Sequence, residues 1–317
     1  MDEIFHTLYA NGALLVMWGA LLFHLILPIP RSAHPVTLWH KFADLLASKV
    51  NTQTNYAQSQ LSGTLALMLM ILPALAVLIA LKPLVWQPQL FEMALLLLAL
   101  DWRSQEQLAN QLSQALARED KKLARSLLVP YVNRDTSTLS PLGLGKAGTE
   151  TIVMGFGRNV VCVLFWYGLL GGVGALLYRL MVELARAWSP SRARFQPFGL
   201  PVVRAVAMLE FIPLRLFTLF VVCGSKAAQV LSTTLAQSRA WPLPGPGWLL
   251  CAVGNKLQLS LGGPAIYGEQ KAVRVKIGGR IAPSAIHLAQ VHKLLAWRIF
   301  AWIVAESAVL VLIHQGV

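Results

Sequence analysis

The sequence predicts an all-α, polytopic integral membrane protein, and its low charge and its long apolar runs are the observations that predict it. Of 317 residues, 56% are hydrophobic and 13% are charged, whereas a soluble domain carries about 25% charged residues. The mean hydropathy is +0.58. A chain this apolar cannot cover itself in water, so lipid is its expected solvent. We predict one domain, residues 1–317, with about four to six transmembrane or re-entrant helices and amphipathic cytoplasmic helices.

Six apolar runs are candidates for these helices. A spanning helix needs about 20 mainly apolar residues, and four of the runs meet this requirement well. The run at 84–100 is short and contains Glu92, so it spans, re-enters or lies at the interface. In chain order the six runs are 10–28, 61–80, 84–100, 160–182, 205–223 and 297–313.

The polar connections at 31–60, 101–151 and 224–296 carry much of the positive charge. The second connection begins as an amphipathic helix, with leucines recurring near every fourth residue. Because cytoplasmic loops are rich in Lys and Arg, the second and third connections are expected in the cytoplasm and the N-terminus outside. This orientation would leave the arginines at 186, 192, 194 and 204 outside, unless one of the intervening runs is re-entrant.

The net charge of +13 would suggest nucleic acid in a soluble protein. Here the basic residues lie mainly between apolar runs, where they contact anionic lipid and set topology. We therefore expect membrane lipid, and no nucleic acid, among the partners. The first residues are acidic where a signal peptide needs a basic region, so the first apolar run is expected to be retained.

Short motifs follow one another in a fixed order across most of the chain. They are His34-Pro-Val, Asn133-Arg-Asp-Thr-Ser, Glu150, Leu164-Phe-Trp with Tyr178-Arg179, Ile212-Pro-Leu-Arg-Leu216, Gly245-Pro-Gly-Trp248 and Leu261-Gly-Gly-Pro with Tyr267. In order and spacing these motifs resemble the CobD/CbiB family of membrane proteins from cobalamin biosynthesis.

The resemblance implies an amide-forming synthase of the bacterial inner membrane. Its substrates would be the corrinoid (adenosyl)cobyric acid and aminopropanol or its phosphate, and its product would be cobinamide or its phosphate. The family is associated with ATP and Mg²⁺, which the resemblance therefore implies as cofactors. Whether the chain forms homo-oligomers stays open.

Several acidic or amide positions of the family pattern are replaced in this chain. Arg158 stands where the family usually has Asp, and Glu210 stands where it usually has Asn. Since such residues would bind Mg²⁺ and phosphate, a second hypothesis is a non-catalytic membrane sensor or scaffold with the same fold, of the AmpE-like kind.

One polar segment supplies the first group of candidate site residues. Arg134 offers a clamp for oxyanions, Asp135 a carboxylate and Thr136 a hydroxyl. The resemblance implies that Asp135 and Glu150 are catalytic and bind Mg²⁺, because hard cations prefer oxygen ligands. The alternative interpretation makes Asp135 or Thr136 a turn or helix cap, and Glu150 a carboxylate near a helix start.

The remaining candidate binding residues lie near the ends of the matched region. His34, with Arg31 and His40, would contact the corrinoid, or else is an interfacial histidine without a ligand. Gly262 and Gly263 form a turn that would also serve as a phosphate nest, and Tyr267 with Glu269 would line the same site.

Charges inside the apolar runs are further functional candidates, because they are costly in lipid. They are Glu210, Arg215 and Glu306, although Arg215 would instead pair with Glu210 and serve packing only. The glycines at 143, 145 and 148 around Lys146 lack the Gly-Lys-Ser/Thr ending of a phosphate loop, so we predict a flexible loop there.

Overall fold

The chain forms two compact units, each assembled from segments that are distant in sequence. The structure, a computed structural model, describes residues 12–26, 34–51, 55–267 and 270–315. The first unit comprises Met1–Arg103, Cys162–Val206 and Trp302–Val317, and the second comprises Ser104–Val161 and Ala207–Ala301. The single domain over 1–317 stays a prediction.

Helices make up most of the described chain, and they confirm the predicted fold class. In chain order they are α1 (Gly12–Ile26), α2 (Val36–Val50), α3 (Tyr56–Leu81), α4 (Pro88–Ala99), α5 (Trp102–Ala117), α6 (Lys121–Leu128), α7 (Pro141–Phe156), α8 (Cys162–Ala187), α9 (Leu200–Val222), α10 (Ala227–Ser238), α11 (Pro244–Lys256) and α12 (Ala285–Gln315). A π-helical turn, Gly157–Val161, joins α7 to α8.

Four helical stretches within the described residues are long and apolar enough to cross a membrane. They are Tyr56–Leu84, Pro141–Ala187, Leu200–Val222 and Ala285–Ile313, with Gly12–Ile26 as a shorter apolar helix. Only 11% of the apolar window in the first stretch is buried, so its leucines are left for lipid to cover. The chain is therefore a membrane protein.

Two predicted boundaries differ from the structure. The run at 84–100 contributes only the 12 residues of α4, which rise about 18 Å and are too short to cross the bilayer. The polar connection at 101–151 ends early, because α7 begins at Pro141, behind an N-cap in which Ser140 accepts a hydrogen bond from the Gly143 amide (3.2 Å).

The glycines around Lys146 lie inside α7, so the prediction of a flexible loop was wrong. A side chain at Gly145 would meet the Pro283 carbonyl at 2.0 Å, and one at Gly148 would meet Leu112 at 2.4 Å. The two glycines are three residues apart and share one helix face. They are therefore small because neighbouring segments approach α7 closely.

Four three-residue strands follow α11 and form two antiparallel pairs. They are β1 (Ser260–Gly262), β2 (Ala265–Tyr267), β3 (Gln270–Ala272) and β4 (Lys276–Gly278). Strand β1 pairs with β4, with Leu261 opposite Ile277, and β2 pairs with β3. These short hairpins, which the sequence analysis did not predict, belong to the second unit.

In the first unit, α2, α3 and α8 surround the side chain of Trp188. This indole is fully buried, donates to the Ala43 carbonyl (3.0 Å) and packs edge-on against Phe198. Gly63 of α3 lies against the Phe198 carbonyl, where a Cβ would approach to 1.9 Å. This core fixes the C-terminal half of α8 beside α2.

Candidate functional site

The centre of the candidate site is the carboxylate of Glu150, which α7 carries into the second unit. Its Oε2 accepts from Arg134 (2.7 Å) and Arg274 (3.1 Å). Its Oε1 accepts from the Gly262 amide (2.8 Å) and again from Arg274 (3.3 Å). The side chains of Glu150 and Arg134 are both only 8% exposed. Two guanidinium groups and one backbone amide therefore occupy both carboxylate oxygens.

Local structure brings three distant segments to this carboxylate. The Asp135 amide donates to the Ile266 carbonyl (2.9 Å) and so ties the Arg134 segment to β2. Arg274 lies just before β4, the strand that pairs with β1. Gly262 has a φ of +70°, and a Cβ there would approach the Val275 carbonyl to 2.1 Å. Only glycine fits this position without strain.

Two lysines add positive charge beside the Gly262-Gly263 turn. A Cβ at Gly263 would lie 3.9 Å from Lys146 Nζ and 3.8 Å from Lys276 Cγ. Lys146 precedes Glu150 by four residues on α7, and Lys276 is paired with Gly262 across β1 and β4. Arg134 and Arg274 thus contact the Glu150 carboxylate while Lys146 and Lys276 lie beside the adjoining turn, and we call these four cations with Glu150 the basic centre. With four cations against one anion, the centre has an excess of positive charge, a property that favours oxyanions.

Asp135 and Thr136 have local roles in the segment that carries Arg134. Asp135 Oδ1 accepts from the Ser137 hydroxyl (2.7 Å) and the Ser137 amide (2.8 Å). The hydroxyl of Ser137, and then its amide, lower the pKa of the Asp135 carboxyl from its ordinary value. Thr136 is buried, and its carbonyl accepts from the Leu139 amide (3.2 Å). The geometry is that of a side-chain-capped turn.

Tyr267 ends β2, directly after the residue to which Asp135 is bonded. The structure therefore brings Arg134, Asp135, Glu150, Gly262 and the strand of Tyr267 together in one unit. Glu269 and Arg31 lie outside the described residues.

The surroundings of Glu150 do not fit a magnesium ligand. Both of its oxygens already accept hydrogen bonds from cationic groups or an amide, and a divalent ion would have to enter among four positive charges. In the part of the chain that the structure describes, no group of three or more His, Cys, Asp or Glu side chains is arranged to hold a metal. The geometry instead makes Glu150 the anchor of the basic centre.

His34 belongs to the first unit, at the start of α2. Its Nδ1 accepts from the Val36 amide (3.2 Å). Burial, and then the positive charge of Arg179, lower the pKa of the His34 imidazole. Nearby, Glu183 accepts from His40 (2.9 Å) and Arg179 (2.8 Å). His34 therefore stands beside a buried ionic cluster and is neutral near neutral pH.

The intramembrane charges pair differently from the expectation. Arg158, on the π-helical turn, donates to both oxygens of the fully buried Glu210 (2.6 and 3.1 Å). The prediction that Arg215 pairs with Glu210 was therefore wrong, because Arg158 occupies both oxygens of that carboxylate. The guanidinium of Arg215 lies over the rings of Phe211 (3.6 Å to the centroid) and Trp248 (4.7 Å).

Sequence reasoning missed three members of the basic centre. The sequence predicts a loop around Lys146, and Arg274 and Lys276 contribute only to the positive charge that predicts topology. A signal was present, since Val273-Arg274-Val275-Lys276 alternates apolar and basic residues as a half-exposed strand does. Trp241, whose ring lies 5.6 Å from the Arg274 guanidinium, was equally unexpected.

Comparisons of the sequence with known proteins identify the same family as the order of the motifs does. The sequence model of the CobD/Cbib protein family matches residues 17–295. A cobalamin biosynthesis protein CobD from Stutzerimonas stutzeri is 33% identical over 90% of this chain and 94% of its own length. One from Chromobacterium violaceum is 31% identical over 80% of this chain and 81% of its own. No solved structure shows a significant match.

Proposed function

The chain belongs to the CobD/Cbib family, and on that premise we propose that it is a membrane-bound synthase of cobalamin biosynthesis. Its reaction joins a carboxylate of the corrinoid (adenosyl)cobyric acid to the amine of aminopropanol phosphate and forms an amide. The non-catalytic sensor or scaffold is not favoured, because relatives that match most of the chain are named as cobalamin biosynthesis proteins. We further propose the bacterial inner membrane as its location.

The observation that carries this proposal is the excess positive charge of the basic centre. Glu150 fixes the two guanidinium groups in position, because each donates to it. Lys146 and Lys276 flank the Gly262-Gly263 turn and have no comparable anchor in the centre. A phosphate that arrives beside the turn would receive charge-assisted hydrogen bonds from the lysines. Phosphorylated aminopropanol fits this centre better than the neutral alcohol.

Binding of the phosphate positions the amine for attack. Once the phosphate is held, the amine three bonds from its oxygen is confined to a small volume, which raises its effective concentration. ATP, which the family resemblance implies, would supply the activation that a carboxylate needs before an amine can displace its oxygen. The basic centre suits nucleotide phosphates as well, whereas Glu150 does not suit Mg²⁺.

Complementation tests the proposal directly. A strain that lacks its own aminopropanol-attaching enzyme is grown under conditions in which growth depends on cobalamin made from cobyric acid. We expect the wild-type chain to restore growth. A chain that is inserted and stable in the membrane but never restores growth would refute the proposed activity.

Kinetics of purified protein test the phosphate site separately. We expect Lys276→Gln to raise the KM for aminopropanol phosphate by about tenfold, while turnover of unphosphorylated aminopropanol is unchanged. Lys122→Gln, which removes an equal charge from an exposed position of α6, is the matched control. Equal effects of Lys276→Gln on both amines would show that the lysine does not recognise the phosphate.

A further inference from the structure

Arg215 is a charged residue in the membrane-spanning stretch Leu200–Val222. Its guanidinium is held against two aromatic rings, those of Phe211 and Trp248, at 3.6 and 4.7 Å from their centroids. Contact with both rings restricts the guanidinium group, so a ligand that binds it costs less side-chain conformational entropy. The side chain is therefore pre-organised, although no described residue neutralises it.

The absence of a counter-charge distinguishes Arg215 from its neighbours. The nearest carboxylate in sequence, Glu210, already accepts two hydrogen bonds from Arg158. Among the residues that the structure describes, no carboxylate forms an ion pair with Arg215, and its buried Nε has no hydrogen-bond partner. A charge in an apolar stretch is costly and is retained where it has a function.

The surroundings of Arg215 are apolar and open. Phe211, Ile212 and Leu216 are 38%, 55% and 41% exposed, so a ligand that reaches the guanidinium passes apolar side chains. In such surroundings a charge-assisted hydrogen bond is stronger than in water. A ligand that combines an anionic group with a large apolar body matches this environment.

Aromatic residues connect Arg215 with the basic centre inside the second unit. Trp248 follows Gly247, where a Cβ would approach the side chain of Trp241 to 2.8 Å. Trp241 in turn lies against Gly262 and over Arg274. The two cationic groups are therefore linked through one short segment, residues 241–248, which leads into α11 and carries both tryptophans.

We propose that Arg215 is an oxyanion-binding residue whose planar fork takes the carboxylate of the corrinoid substrate or the phosphate of an anionic phospholipid. Both groups offer two oxygens to a bidentate guanidinium. The proposal that the ligand is the corrinoid rests on the proposed function, since it assigns the reacting carboxylate to the same unit as the site of the phosphorylated amine. The lipid form is independent of that function.

Binding measurements in nanodiscs separate the two sources. Arg215→Gln and Arg215→Lys are compared with Arg239→Gln, which removes the same charge from an exposed position of the same unit. One arm measures the affinity for cobyric acid, which has the free carboxylate, and for cobinamide, in which it is an amide. The other arm measures the change in Tm when phosphatidylglycerol is added to phosphatidylcholine nanodiscs.

We expect Arg215→Gln to weaken cobyric acid binding by about tenfold or more and to leave cobinamide binding unchanged. If the ligand is lipid, cobyric acid binding is unchanged, but phosphatidylglycerol no longer raises the Tm of Arg215→Gln. Arg239→Gln behaves as wild type in both arms. If Arg215→Gln retains both responses, the proposal is overturned.

Arg215→Lys decides the question if Arg215→Gln does not fold. A point charge cannot replace a stacked planar fork, so the lysine variant should be weaker than wild type in one arm. Wild-type responses in both arms would overturn the proposal. If wild type binds neither corrinoid, the proposed function fails, and the lipid arm still decides the role of Arg215.

Discussion

Glu150 forms ion pairs with two guanidinium groups in the basic centre, and this role has a consequence for stability. Breaking a buried ion pair from one side leaves an uncompensated charge and costs roughly 3–5 kcal/mol. Glu150 and Arg134 are both 8% exposed, so this range applies to them. We expect Glu150→Gln to lower the Tm of the purified protein markedly, both with and without Mg²⁺, and to abolish growth rescue.

The control for Glu150→Gln is the same change at Glu119, an exposed residue between α5 and α6. That variant should keep the wild-type Tm. A metal-ligand role for Glu150 would give a different pattern, in which the Tm of the wild type rises with added Mg²⁺ and that of Glu150→Gln does not. Such a result would contradict the anchoring role.

Asp135 is expected to act through the turn that it caps. Its Oδ1 accepts two hydrogen bonds from Ser137, and an asparagine oxygen can accept the same bonds. We predict that Asp135→Asn retains growth rescue, whereas Asp135→Ala loosens the segment that carries Arg134 and reduces rescue. Growth on cobyric acid, with protein levels checked by immunoblot, measures both variants. Loss of rescue in both variants would instead make the negative charge of Asp135 essential.

Helix α8 contains a break that an apolar run does not reveal. Gly171 has a φ of +68° and a ψ of −164°, a region that is essentially restricted to glycine. Beyond the break, the Gly172 amide donates to the Glu92 carboxylate of α4, and Glu92 also pairs with Lys82 (3.4 Å). The charge in the doubtful run at 84–100 thus caps a broken helix.

Replacing Gly171 by alanine should therefore destabilise the first unit. A Cβ there would approach Glu92 Oε2 to 2.7 Å, and the backbone strain alone costs about 1–3 kcal/mol. We expect a lower Tm in detergent for Gly171→Ala. Gly19→Ala is the control, since that glycine is helical and, among the described residues, its Cβ would meet only the Met93 sulfur, at 3.4 Å. An unchanged Tm for Gly171→Ala would show that the break is not required.

The elements that sequence could predict are those whose pattern extends over many residues. Apolar runs of spanning length follow from local composition, and the amphipathic helix α5 follows from the spacing of its leucines. The strands β1 to β4 have three residues each, and the alternating pattern at 273–276 lies mostly before β4. Gly145 and Gly148 were misinterpreted because a glycine that allows close packing has the same sequence signal as one in a loop.

At the scale of the whole molecule, sequence predicts the site residues that lie close together in the chain and misses those that are distant. Arg134, Asp135 and Glu150 belong to motifs that lie close together in the chain, and the resemblance identified them. Arg274 donates to Glu150 across 124 positions of sequence, and no local pattern predicts such a contact. Without Arg274 and Lys276, the resemblance implies a metal ligand at Glu150, whereas its neighbours in space support the proposed anion site.

The contact between Asp135 and Ile266 also constrains the topology of the whole chain. Asp135 lies in the connection at 101–151, before α7 begins, and Ile266 lies in the connection at 224–296, and the Asp135 amide donates to the Ile266 carbonyl (2.9 Å). Both connections must then lie on one face of the membrane. Their 15 Lys and Arg residues, seven in the first and eight in the second, predict that this face is cytoplasmic.

Cysteine labelling of intact cells tests this topology. In a background without native cysteines, we expect Glu119→Cys and Arg239→Cys to resist a membrane-impermeant thiol reagent until the cells are opened, because both exposed positions then lie in the cytoplasm. Labelling of both in intact cells would invert the orientation and contradict the charge rule for this chain. Labelling of only one would separate the two connections across the bilayer and contradict the hydrogen bond from the Asp135 amide to the Ile266 carbonyl, which holds the Arg134 segment at the basic centre.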